Sequence, residues 1–383
     1  MNNIYKGFNP FSDGGGFRLS TRSKKFGDEV KDYELSGAPT DSVSALEFSG
    51  PSCSFLGLSA ASWDGTVRFW RIDQEKCEAV PKAMTKLNSP PLDTSWSDDG
   101  TRIYVGDCEG NVVTWDLMTD KVLQLGRHSK GVRSCHSVTG SGSSYLMTTS
   151  WDKTVKFWDP RMSAMVGCLQ LPERSYAADV RHPLAVVACA DSSVIAISLE
   201  NGPVEKGRFK VPRCGTLSNQ VRSLAIYNAG QDEGGMGWVL SRIDGRVSFQ
   251  NLLNSQNRDF IMKCHVDVDH NEKNDVFAVN DLSFQPGTHV LATAGSNGQY
   301  KFWDYNNRRL IKQRSVSDMP LTKCTFNGKG DMFAYAVGYD WCMGHDYFDP
   351  NFTPQIFLKS VEHVRHRKYR RTESDGELSV RIS

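Results

Sequence analysis

No run of about 18 apolar residues occurs in the chain, so the sequence offers no membrane-spanning helix and predicts no membrane insertion. The opening residues, MNNIYKGFNPFSDGGGF, lack the basic-then-apolar order of a secretory signal. Ten cysteines are present, yet no two are spaced as CxxC. A structural zinc site needs clustered ligands, so the pattern predicts dispersed, reduced thiols and no metal. The formal net charge is +1 over 383 residues, which excludes a bulk polycation. Any contact with nucleic acid must then come from a local basic patch. A Walker A sequence is absent. GSGSSY at 140–145 has two glycines in phase and fails at the third, so it reads as a strand connector. Neither a cofactor nor a small-molecule substrate is expected.

Against these absences stands a repetition. SWDGTVRFW begins at Ser62 and SWDKTVKFW at Ser150. Halfway between, DCEGNVVTW ends at Trp115. Trp70, Trp115 and Trp158 are therefore 45 and 43 residues apart. Each stretch is a turn followed by an alternating strand rich in β-branched and aromatic residues. Weaker copies begin at Ala190, Arg242 and Gly295, and a degenerate one lies at 338–341. Each copy follows an inner-strand pattern: VSALEFS, PLDTSWS, VRSCHSV, AADVRHP, VRSLAIY, VNDLSFQ and LTKCTFN. A period of about 44 with four strands per unit predicts an all-β, seven-bladed WD-repeat β-propeller.

In the third unit His128, Ser150, Asp152 and Trp158 have the spacing of a structural hydrogen-bond tetrad. The aspartate would accept from backbone and histidine, and the serine would bridge histidine to the indole N–H. A Ser/His/Asp set also suits a hydrolase. No GxSxG elbow occurs and the residues follow the blade period, so the chain is expected not to be an enzyme.

Three regions follow: a flexible N-terminal arm (1–34), the propeller (35–360) and a basic C-terminal tail (361–383). The stretch near Asp32–Leu35 is a candidate closing strand for the last blade, which would remove an exposed sheet edge. The tail carries VRHRKYRR at 364–371, suited to nuclear localisation or phosphate contact. CHVDVDHNEKND (264–275), with Cys264, His265 and His270, reads as a polar surface loop. NAGQDEGGMGW (228–238) reads as a hairpin tip.

Several stretches lie outside the repeat: LQLPERSYAADV (169–180), MKCHV (262–266), DVFAVNDLSFQP (275–286) and YDWCMGHDYFDP (339–350). With RIDGRVSFQ (242–250), they make residues 35–358 resemble the messenger-RNA export factor of the nuclear pore, the Gle-two or RNA-export WD-repeat family. A related family, the mitotic-checkpoint WD-repeat adaptor of kinetochores, shares the 242–250 turn and the KCH stretch. It is not similar at 169–180 or 339–350.

The resemblance implies a non-enzymatic nuclear adaptor at the nuclear envelope and pore that shuttles to the cytoplasm. Its partners would be the GLEBS hairpin of an FG nucleoporin (nucleoporin 98 type) and messenger ribonucleoprotein or single-stranded RNA. A role in mitotic spindle regulation goes with the family as well. Arg246, Lys263, Trp303 and Asp304 are the residues it assigns to the hairpin. Arg308, Arg309 and Lys312 are those it assigns to nucleic acid. Met262 departs from the family's pattern, which has a Phe there. Apart from any resemblance, Arg246 stands out because Thr66 and Thr154 occupy its position in blades one and three. An arginine beside a turn can hold a carboxylate through two parallel hydrogen bonds.

Overall fold

The computed structural model describes residues 32–140, 143–212, 220–228, 236–252, 259–268 and 274–361. The basic stretch 364–371, most of the N-terminal arm, the tip 229–235 and His270 lie outside them. The described residues form seven four-stranded antiparallel sheets, one per blade, and a separate two-stranded ribbon. The ribbon, Val266–Val268 paired with Asn274–Val276, lies between blades five and six.

Position within a blade explains the residue choice. Second strands are buried on both faces by neighbouring blades and read as continuous apolar runs. Leu184–Cys189, Val290–Gly295 and Met332–Val337 are buried at every residue. Outer strands meet solvent on one side and alternate, as in Val204–Lys210. Carboxylates on the inner strands tie blade to blade. Asp93 accepts the Cys135 N–H at 2.9 Å, Asp179 that of Ile226 at 2.7 Å and Asp281 that of Cys324 at 3.0 Å. Even blades thereby hold the odd blade that follows, by charge-assisted bonds that neutral pairs would not match.

The tight turns between second and third strands carry the repeat. Gly65 has φ 84° there, and Lys153 takes the equivalent left-handed conformation with φ 67°. At Gly245, φ is 71° and a Cβ would stand 2.6 Å from the His265 carbonyl oxygen. Only glycine fits that turn.

Blade seven is completed from the other end of the chain. Tyr33 and Glu34 pair with Leu358 and Phe357 on Gln355–Ser360, so the propeller takes in two residues that the sequence reading gave to the arm. Two residues form few ladder bonds, and an ionic cluster adds to them. Asp32 accepts the Lys359 ammonium at 2.5 Å and the Tyr335 hydroxyl at 2.7 Å, with Arg314 of blade six at 3.6 Å. The Asp32 and Lys359 side chains are each only 7% exposed. Removing one partner of a buried pair costs about 3–5 kcal/mol. Asp32→Ala is expected to lower stability by that order in urea unfolding. An unchanged midpoint would show that the clasp contributes nothing to closure.

Candidate functional site

The polar residues of the repeat resolve first, because they decide which groups remain for partners. In blade three the Trp158 indole N–H donates to Thr148 Oγ1 at 2.8 Å. Thr148 lies 2.8 Å from His128 Nε2, and His128 Nδ1 lies 3.0 Å from Asp152. The bridging hydroxyl is therefore Thr148, not Ser150. Ser150 instead donates to the Lys130 carbonyl and accepts the Asp152 N–H, each at 3.0 Å. The reason is register: the ladder between second and third strands ends at Thr149 and Val155, leaving Ser150 beyond it.

Blade six repeats the network. Trp303 donates to Thr293 at 3.0 Å, Thr293 meets His265 Nε2 at 2.9 Å, and His265 Nδ1 meets Asn297 at 2.8 Å. His265 is fully buried, so the surface-loop reading of that residue fails. The wider spacing hides it, since the ribbon separates His265 from its blade. A signal was present: Thr-x3-[Asp/Asn]-x5-Trp occurs at Thr148 and again at Thr293.

Two assigned partner residues are thereby accounted for structurally. Trp303 packs in one apolar cluster with Met262 and Cys264. Asp304 is 1% exposed and accepts the Asn307 N–H and side-chain amide at 3.0 and 2.7 Å. Asp116 caps the equivalent turn of blade two in the same way. Both belong to the blade's framework.

Arg246 and Lys263 are brought together. They are direct partners across the third and outer strands of blade five. Arg246 is 21% exposed at its side chain and donates to Asp244 Oδ2 at 3.1 Å. A further residue, missed in the sequence, completes the site. Arg242 is fully buried and donates to the same carboxylate oxygen at 2.8 Å and to the Pro212 carbonyl at 2.8 Å. In blade three the corresponding residues are Ser150 and Thr154, and Thr154 bonds the turn aspartate at 2.6 Å. Blade five has replaced both hydroxyls with arginines. Two guanidinium groups thus share one oxygen of a single aspartate, with Lys263 across the ladder from Arg246, and like charges directly opposite on a sheet repel. An incoming carboxylate would relieve that excess.

The same face holds an axial cavity of about 540 Å³. Its wall includes Trp63 and Trp151, from the turns that correspond to the one carrying Arg246, with Trp341, Arg133, Arg222 and Lys323. Trp63 and Trp341 are 42% and 46% exposed, and Trp341 stacks on Phe348 at 5.1 Å. Exposed aromatic surface beside cations suits a partner with apolar and acidic side chains.

Arg308 and Arg309 are exposed at the rim of blade six, and Lys312 is half-buried there. Arg308 lies 4.1 Å above the Phe260 ring, which stacks on Phe249 at 4.4 Å. Both faces of the Phe260 ring are thereby occupied, and the exposed guanidinium is the group left to meet a phosphate or a base. Among the described residues no group of three His, Cys, Asp or Glu is placed to hold a metal ion.

A family model described as "WD domain, G-beta repeat" matches residues 30–71, 120–159 and 263–304. The chain is 43% identical to "Protein Rae1" of Drosophila melanogaster over 332 residues, covering 86% of this chain and 94% of that protein. The chain belongs to the WD-repeat mRNA export factor family. It is also 38% identical over 355 residues to the "mRNA export factor" of Danio rerio, covering 92% of this chain and 95% of that one. Two solved structures share the fold. "Structure of U3-55K" has a TM-score of 0.67 at 18% identity, covering 86% of this chain and 98% of that one. "Crystal structure of RRP9 WD40 repeats" has a TM-score of 0.63 at 17% identity, covering 86% and 97%.

Two checks follow from the tetrads. Thr148→Val should cost about 1–3 kcal/mol for each buried group left unpaired, with Ser150→Ala costing less. Equal costs would restore Ser150 to the bridge. Burial pushes His128 and His265 down to about 4. An unfolded histidine titrates near 6.5, so the folded state excludes a proton that the unfolded state takes up. Stability should be level above about pH 6.5 and fall toward pH 4. Unfolding curves across that range test it, and His128→Gln should flatten the slope.

Proposed function

We propose that this protein is a non-enzymatic nuclear adaptor for mRNA export that binds the GLEBS hairpin of an FG nucleoporin at the pore. Family membership supports the export role. The observation that carries the partner reading is the run of cations at blade five, where Arg242 and Arg246 share the carboxylate of Asp244 and Lys263 lies across the ladder from Arg246. Arg246 and Lys263 are the members open to an acidic ligand. The aromatic wall of the axial cavity lies on the same face and suits the apolar side chains of a hairpin laid across it. Arg308, Arg309 and Lys312 would offer a rim to single-stranded RNA of a messenger ribonucleoprotein, with Phe260 holding the Arg308 guanidinium in place.

Losing a desolvated charge contact in an interface costs about 2–5 kcal/mol, or roughly 30- to 5,000-fold in affinity. Arg246→Glu should weaken a GLEBS peptide by that order in calorimetric titration while the unfolding midpoint holds. Unchanged affinity would remove Arg246 as the anchor. Tighter binding of a kinetochore-type hairpin than of a nucleoporin hairpin would favour the mitotic-checkpoint adaptor instead. Binding of neither would end the adaptor reading.

A further inference from the structure

Each blade ends in an outer strand with no neighbour beyond it, so one row of its backbone N–H and C=O groups is open to pairing with another chain. Charged residues and proline guard such edges. Among the described residues, six of the seven edge strands are guarded in this way. Glu78–Lys86 of blade one holds Pro81 and Lys82, Lys121–Arg127 of blade two ends in cations, and Val204–Lys210 of blade four holds Glu205 and Lys206. Blades five and six present Lys263 and Arg309–Ser315, and the strand that closes blade seven carries Glu34. Ala164–Gln170 of blade three reads AMVGCLQ, with neither a charge nor a proline.

The bulge in these strands sharpens the contrast. The ladder to the third strand skips Lys82 in blade one, Lys206 in blade four and Val166 in blade three. In blades two and six it skips Leu125 and Ile311, which are buried and half-buried. Val166 and its neighbour Met165 are instead 56% and 52% exposed. Met162, in the turn before them, is exposed as well, and so are Met118 and Leu123 at the same corner of blade two. The two blades adjoin there: Gly126 stands against the Trp158 ring, and Lys156 of blade three donates to the Arg127 carbonyl at 2.9 Å. Methionine side chains adapt to an apolar partner.

Charge selects the occupant. Asp159 and Glu173, the carboxylates nearest this edge in the chain, are held by Arg161 at 2.9 Å and Lys153 at 2.6 Å. Arg127 is exposed and meets no carboxylate among the described residues. We propose that the edge of Ala164–Gln170 takes an extended segment of a partner protein as a fifth strand of blade three, apolar at alternate positions and with a carboxylate toward Arg127. Main-chain bonds give such a strand its affinity, and its alternate side chains give specificity. A second copy of the same edge brings no carboxylate to Arg127, which favours a different partner. The site stands apart from blade five and does not depend on the hairpin reading.

The test is selection of a displayed library of random peptides about ten residues long on the full chain, with counter-selection on Val166→Lys. That variant gives blade three the lysine that blades one and four carry at the same bulge, and an unchanged unfolding midpoint verifies its fold. Enriched peptides should alternate apolar residues and carry Asp or Glu. A synthetic copy of one should slow hydrogen exchange at amides of 164–170 and bind Val166→Lys and Cys168→Lys at least about tenfold more weakly. Arg127→Gln should weaken it about two- to fivefold, less so at high salt. The proposal fails if no peptide survives counter-selection, or if survivors leave exchange at 164–170 unchanged. It fails too if the chain alone sediments as a dimer that Val166→Lys dissociates, since a second copy then fills the edge.

Discussion

A propeller has no core that spans the whole molecule; each blade is covered only by its neighbours, so one unclosed seam exposes two faces at once. Here the seam is sealed by Tyr33 and Glu34, a strand of two residues. So short a strand supplies little by itself, and the buried carboxylate of Asp32 holds it to Lys359, Tyr335 and Arg314. Behind it the aromatic cluster of Tyr300, Phe302, Phe326, Phe333 and Tyr335 fills the boundary of blades six and seven. Closure in this chain is therefore an ionic event supported by packing.

Within the ring, buried polar groups do two kinds of work. Most hold the scaffold: the Trp–Thr–His relays of blades three and six, and the aspartates that tie each even blade to the next. Those bonds are made within the scaffold. Blade five breaks the pattern. Where a Ser and a Thr would complete the turn, it has Arg242 and Arg246 on one carboxylate, with Lys263 across the strand. The departure from the scaffold's own rule marks the site, since a turn needs no second arginine to hold its shape.

Much was legible in the sequence because the blade period is written in it. The alternating strands, the turn glycines and the recurring tryptophans gave seven units and their order, and the inner-strand patterns fall on the inner strands observed. The closing strand near Asp32–Leu35 was readable for the same reason, as an unpaired edge requires a partner. Arg246 was visible as an arginine in a threonine's place. Arg242 was equally visible in the aligned units, as an arginine in a serine's place, but its role depended on a carboxylate that only the folded turn brings to it.

By itself the sequence determined the architecture, since periodicity and turn chemistry are local properties. It could not decide which of two hydroxyls bridges His128 to Trp158, because Thr148 and Ser150 are separated only by where the ladder ends. Nor could it tell that Trp303 and Asp304 are consumed within blade six, or that His265 is buried, since burial is a property of neighbours distant along the chain. Tertiary structure decided which charges remain available. It did so through register and closure, which turn a list of polar residues into those already paired and those that face outward.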